Sequence, residues 1–270
     1  MPETLHAWLP GLAAIVPLAV VVWLASLPLR DASIVDRFWS LLFVAAAVAY
    51  AAHAPAGAPR RTWVLALLLA WAARLALHIS WRNWGHGEDR RYQAIRARNQ
   101  PGYAWKSLLF VFLLQALLAW VISLPLLGAL RGGAPLGLLD ALGLLAWLAG
   151  FLCEAVGDWQ LARFRAGNPP AGTVLDTGLW RYSRHPNYFG ECLLWWGFGL
   201  LALGAGAWWA LAGPALLTVL LLRVSGVALL ERDIAERRPA YRDYVLRTSA
   251  FIPWPPRAAA TPGAGAGSLP

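Results

Sequence analysis

Residues 107–129 read SLLFVFLLQALLAWVISLPLLGA, and this run decides the fold class. It contains no Asp, Glu, Lys or Arg, over a length that lets a helix cross the hydrocarbon core of a bilayer. Runs of the same kind recur along the chain. Hydrophobic residues make up 59% of the sequence and charged ones 14%, with a mean hydropathy of +0.52. An ordinary soluble domain carries roughly 25% charged residues. The other structure able to span lipid is a closed barrel, whose strands read as alternating segments of about ten residues. These Leu- and Ala-rich runs do not alternate. The expected class is all-α, a polytopic helical membrane protein.

Seven transmembrane helices are predicted, at roughly 9–29, 38–54, 62–81, 107–129, 136–158, 187–207 and 208–230. The second is short, and only Gly204 to Trp208 separates the sixth from the seventh, which predicts a tight helical hairpin. Residues 1–6 carry no positive charge, unlike a secretory signal, so the first span is expected to be retained. Arg74 and Arg223 lie inside spans, and Arg60, Arg61 and Arg131 fall in the second and fourth loops. All other Arg and Lys fall in the first, third and fifth loops and the C-terminal segment. The positive-inside rule then places the N-terminus outside and the C-terminus in the cytoplasm, whether the membrane is a bacterial inner membrane or the endoplasmic reticulum. The net charge of +9 follows from this asymmetry together with an anionic ligand. No basic helix or aromatic-studded sheet stands free of the membrane, so no nucleic-acid partner is implied. Of the 17 Trp, Trp8, Trp39, Trp63, Trp105 and Trp208 sit near span ends as interface anchors. Cys153 and Cys192 read as small hydrophobes, and the five His show no zinc spacing. Residues 1–257 form one expected domain, taken as a monomer. The Ala-, Gly- and Pro-rich tail 258–270 is expected to be disordered.

Against this apolar background one stretch stands out, Arg181-Tyr182-Ser183-Arg184-His185-Pro186-Asn187-Tyr188-Phe189-Gly190-Glu191. Pro186 suits a first helical turn, because it has no N–H to leave orphaned. Asn187 and Glu191 then share one helical face. A helix N-terminus with basic residues before it is a ready place for phosphate. The stretch is read as gripping an anionic cofactor at the membrane surface; the plainer reading is a basic juxtamembrane anchor.

Other polar positions lie on the same cytoplasmic side. Asp36 stands at the entry to the second span, either paired with Arg37 in solvent or acting as a proton donor or polariser for a substrate arriving from the lipid. Arg74, His78 and Arg82 share one face of the third span and point to a polar cavity, with snorkelling as the alternative. The third loop, Asn83 to Lys106, contains Tyr92 and predicts a short amphipathic helix after Gly85 and Gly87. Glu154 and Asp158 share a face near the end of the fifth span. Their partners are either Arg163 and Arg165 or the hydroxyl and amino groups of a nucleotide. Tyr241 and Tyr244, three apart, either cover a nucleotide or pack onto the bilayer surface.

The stretch 178–191, the helix end from Asp158 to Arg165 and the C-terminal Tyr-x-x-Tyr…Ile-Pro pattern resemble the membrane-embedded steroid 5α-reductase family, its bacterial branch above all. The resemblance is good over about residues 140–254 and weaker before them. It implies seven helices enclosing NADPH and a steroid, with cofactor contacts at Arg82, Glu154, Asp158, Arg165, Tyr182, Asn187, Glu191 and Tyr244. Arg184, His185 and Tyr188 match the Arg-His-Pro-x-Tyr motif of sterol reductases and membrane methyltransferases, and Tyr241 joins the same set. The animal enzymes hold the substrate carbonyl with a Glu of the second span and a Tyr of the third. Asp36 is the counterpart of the first. The Tyr is missing from its expected place near Ile79, and His78 or Tyr92 is the replacement.

The expected activity is NADPH-dependent reduction of the Δ4 double bond of a 3-oxo steroid or related lipid enone that enters from the bilayer. No Gly-x-Gly-x-x-Gly lies between a strand and a helix, so a Rossmann site is not expected. Two other readings are kept. One is an S-adenosylmethionine-dependent membrane methyltransferase of the isoprenylcysteine carboxyl type, which shares Arg-His-Pro-x-Tyr. The other is a sterol- or lipid-binding protein without catalysis.

Overall fold

Leu, Ala and Val runs wind into helices because a helix satisfies its own backbone without water. The computed structural model describes residues 2–55, 57–224, 226–231 and 240–257, and among them no strand forms beyond an isolated Ser183–Ser249 bridge. The tail 258–270, expected to be disordered, lies outside the described residues. In chain order the helices are α1 (Pro2–Leu29), α2 (Ile34–Ala52), α3 (Arg61–Arg82), the short α4 (Arg90–Arg98), α5 (Tyr103–Arg131), α6 (Leu138–Ala166), α7 (Pro186–Gly204), α8 (Trp208–Val224), α9 (Val227–Glu231) and α10 (Ala240–Arg247).

Five of these, within α1, α2, α3, α5 and α6, are long and apolar enough to cross a membrane. The sixth and seventh predicted spans fall on α7, with 19 residues, and on the shorter α8, and neither is among those five. The seventh does not run unbroken to residue 230. Its last turn, Leu220–Val224, widens into π geometry at Arg223, and a separate helix begins at Val227. α5 also contains a π turn, Leu108–Leu113, ahead of Gln115. The predicted amphipathic helix of the third loop is α4, whose N-cap Asp89 accepts from the Arg91 amide.

The chain divides into two units, residues 1–148 with 194–217, and residues 149–193 with 218–270. In the first, α1 packs on α2 and α2 on α3. An aromatic cluster fills the centre: Phe43 lies 4.6 Å from Trp195, which meets Trp71 edge-on at 5.4 Å and Phe198 at 5.5 Å. Trp8, expected as an interface anchor, stacks on Trp120 at 3.7 Å, and each indole N–H donates to the other residue's carbonyl. Backbone approach decides one further contact. A Cβ on Gly197 would collide with the Gly143 carbonyl and the Trp147 amide, so only glycine lets α6 and α7 meet there.

Arg60, read from the sequence as a loop residue, is 1% exposed. Its guanidinium forms a two-pronged bond to Asp140, 2.6 and 2.7 Å, and donates to the carbonyls of Ala134, Pro135 and Gly204. This clasp joins the second loop, the fourth loop and the C-terminal end of α7.

In the second unit, α6 and α7 meet where Gly190 lies against the Glu154 backbone, too close for any side chain. The segment 240–257 lies along the turn before α7. Arg184 N–H donates to Ser249 O, Ser183 Oγ to Phe251 O, and Trp254 N–H to Tyr182 O.

Candidate active site

In the first unit, α4 is fastened across the α1–α2 turn. Glu88 accepts from the Ala32 amide at 2.8 Å and from Arg96, which also donates to the Arg30 carbonyl. Asp89 N–H donates to Ser33 Oγ. One apolar face of α4 supports this, with Tyr92 buried among Val22, Trp23, Val35 and Phe112.

The fastening brings Tyr92 to Asp36. The phenol donates to Asp36 Oδ1 at 2.6 Å, and Gln115 Nε2 donates to the phenol oxygen at 3.0 Å. Arg91 pairs with the other Asp36 oxygen at 2.9 Å and with Asp89 at 3.0 Å. Asp36 therefore does not pair with Arg37, as one sequence reading had it; the loop helix supplies its cation and its phenol. Burial, and then the charge and hydrogen bond of Asp36, push the Tyr92 phenol well above its ordinary range. Burial works against the charge of Arg91, but the Asp89 hydrogen bond and the charge of Asp36 outweigh it and raise the pKa further. The site thus holds a phenol whose proton is harder to remove than usual against a carboxyl group.

His78 is half-buried on α3, with its ring 6.3 Å from that of Trp81. Arg82 is exposed and donates to Asn83 Oδ1 at 3.1 Å. Of the three proposed catalytic residues, Asp36 and Tyr92 are in direct contact.

The second unit holds the other predicted residues. Asn187, on the first turn of α7, donates to Asp158 Oδ1 at 3.0 Å. Glu154 and Asp158 are buried, Tyr188 and Glu191 half-buried, and Arg165 and Tyr182 exposed. The donor set is one of carboxylates and an amide inside with a guanidinium outside. Carboxylates and an amide suit ribose hydroxyls and an adenine amino group, and an exposed guanidinium suits phosphate.

The Arg-His-Pro motif is placed differently. Arg184 is buried, donating to both Glu231 oxygens at 2.7 and 2.8 Å and to the carbonyls of Val245 and Thr248. His185 Nε2 lies 3.0 Å from the same Glu231, and Tyr241 donates to it at 3.3 Å. Burial raises the Glu231 pKa, but the His185 and Arg184 hydrogen bonds prevail and lower it to about 2. The Tyr244 hydroxyl donates to the Trp180 carbonyl. Tyr241 and Tyr244 are therefore buried in the protein and do not lie on the bilayer surface.

Sequence reasoning gave no role to Gln115 or Glu231. Each carried a signal: Gln115 is the only amide in the opening apolar run, and Glu231 is the first acid after the last one.

Long apolar helices with ion clusters at their ends define a multi-pass helical membrane protein. More narrowly, the chain belongs to the family described as "Protein of unknown function (DUF1295)", whose profile matches residues 22–248. It is similar to an uncharacterized protein of Schizosaccharomyces pombe, with 26% identity over 269 residues, covering 86% of this chain and 76% of that protein. No solved structure matches.

Proposed function

We propose that the chain is an NADPH-dependent membrane reductase of lipophilic enones of the 3-oxo-Δ4 steroid class, akin to the steroid 5α-reductases. In this reading it has seven spans, an outside N-terminus and a cytoplasmic C-terminus, and it acts as a monomer on a substrate drawn from the bilayer. The observation that carries the reading is the Tyr92–Asp36 pair. The resemblance requires an acid and a tyrosine at the substrate carbonyl, and α4 supplies the tyrosine that α3 lacks.

Bound NADPH would supply the hydride that adds to the β-carbon of the enone. Tyr92 donates a hydrogen bond to the carbonyl oxygen as negative charge grows there, and a proton from water then reaches the α-carbon of the enolate and completes the saturation. A fixed donor in a dry site stabilises that charge strongly. For its proton to point at substrate, Asp36 must be protonated and donate to the phenol oxygen, reversing the polarity of the observed bond. In the second unit Asp158, Asn187, Glu154 and Glu191 would hold the ribose and adenine side of the dinucleotide and Arg165 a phosphate, and in the first unit Arg82 is the cofactor contact that the resemblance implies. Tyr182 and Tyr188 flank the same turn. Arg184, His185 and Tyr241 act through Glu231, and Tyr244 through the Trp180 carbonyl, to set the turn that carries Asn187.

A second reading, the S-adenosylmethionine-dependent methyltransferase, is favoured by the junction of Arg184 and His185 with an acid that follows the last span. Titrating detergent-purified protein with NADPH and with S-adenosylmethionine separates the two. Turnover of a 3-oxo-Δ4 steroid, followed as loss of reduced nicotinamide, tests the reaction. Binding of S-adenosylmethionine alone would replace the reductase reading, and sterol binding without turnover of any enone would favour a lipid-binding protein.

A further inference from the structure

Asp36 turns to Arg91 and Tyr92, and this leaves its neighbour Arg37 without an acid. Arg37 is half-buried on the first turn of α2. Its Nε is buried with no hydrogen-bond partner, and its Nη2 makes one long contact, 3.4 Å, to the Asn83 carbonyl. Arg82, on the last turn of α3, reaches the same residue from the other side, donating to Asn83 Oδ1 at 3.1 Å. Two guanidinium groups from two helices thus touch Asn83, one at its carbonyl and one at its side-chain oxygen. Among the described residues neither lies within ion-pairing distance of a carboxylate. The nearby acids are bonded elsewhere, Asp36 to Arg91 and Tyr92 and Asp89 to Arg91, and the charge of Arg82 reaches both only at longer range.

A half-buried guanidinium with no counter-ion is costly at a membrane edge. Each guanidinium carries planar N–H donors of the kind that phosphate oxygens accept, and the first turn of α2 adds its own positive end. We infer that Arg37 and Arg82 form a phosphate-binding site where the start of α2 meets the end of α3 at Asn83, in which Arg37 is the half-buried anchor. The phosphate belongs either to the dinucleotide or to an anionic lipid headgroup. The dinucleotide source rests on the NADPH reading above; the lipid source does not.

The test uses the full chain in detergent as wild type, R37Q, R37K and R82Q. Binding of NADPH and NADH is read by nicotinamide fluorescence. Stabilisation by phosphatidylcholine vesicles with and without phosphatidylglycerol is read as a melting shift. Loss of one charge-assisted contact should weaken the phosphate ligand roughly tenfold in R37Q and less in R37K. Weakened NADPH with unchanged NADH assigns the site to the 2′-phosphate, and equal weakening of both assigns it to the pyrophosphate. Loss of the phosphatidylglycerol shift alone assigns it to a lipid headgroup. If R37Q and R82Q match wild type with all three ligands, the site is overturned. If wild type binds neither dinucleotide, the reductase reading fails and the phosphatidylglycerol arm alone decides the site. If R37Q does not fold, R37K and R82Q are judged by the same readouts.

Discussion

Tyr92 donates a 2.6 Å hydrogen bond to Asp36 from 56 positions further along the chain. The bond exists because α4 folds back over the α1–α2 turn, held by the contacts of Glu88 and Asp89. It makes an acid–phenol pair at one end of a membrane helix bundle. Under the reductase reading, Tyr92→Phe should lower kcat by about 10²- to 10³-fold, the usual effect of removing one donor from developing oxyanion charge. NADPH affinity should be unchanged. Single-turnover kinetics beside equilibrium binding checks both, and a variant with full turnover would remove Tyr92 from the mechanism.

Gln115 Nε2 occupies a lone pair of the same phenol. Gln115→Leu should therefore lower kcat about tenfold through misplacement of Tyr92, an effect comparable to losing one hydrogen bond. Deleting one residue from the π turn Leu108–Leu113 should do the same, because one residue rotates the rest of the helix by about 100°. Unchanged kcat in both would leave the amide as helix packing alone.

Asn187 and Asp158 form the contact nearest to the predicted cofactor-binding turn. Asn187→Ala should raise the Kd for NADPH roughly tenfold, in line with one hydrogen bond to a charged partner, and leave the melting temperature within a few degrees. A large fall in melting temperature with unchanged Kd would mark the pair as structural.

Glu231 has a folded pKa lowered from 4.5 to about 2. A depressed acid stabilises the fold fully above its unfolded pKa, and the contribution is lost as pH falls through the folded value. The loss should therefore fall between about pH 4.5 and pH 2 and amount to about 3 kcal/mol, by the energy of one pKa unit. Glu231→Gln should flatten melting temperature against pH in that window. A profile as steep as wild type would assign the acid sensitivity to another carboxylate.

Arg60 is buried and Asp140 half-buried, so removing the acid strands the arginine's charge. Asp140→Leu should cost about 3–5 kcal/mol, and Arg60→Leu with Asp140→Leu should recover much of that. Thermal unfolding in detergent measures the cycle. Additive losses in the double variant would show that the carbonyl contacts of Arg60 matter more than its ion pair.

The sequence by itself determined the helical class, the places of the apolar helices, the extra helix of the third loop and the region of the polar turn. These are local properties. A charge-free run of Leu and Ala has few backbone solutions in lipid, and Pro186 and Asn187 mark a helix start wherever they fold. What only the tertiary structure decided was which polar groups meet. Asp36 had Arg37 beside it in sequence and met Tyr92 and Arg91 instead, and Arg184 met Glu231 from 47 positions away. Arg60 looked like a loop charge and became a buried clasp. Partner choice among charges depends on burial and on which backbones lie close enough, and neither is encoded in the spacing along the chain.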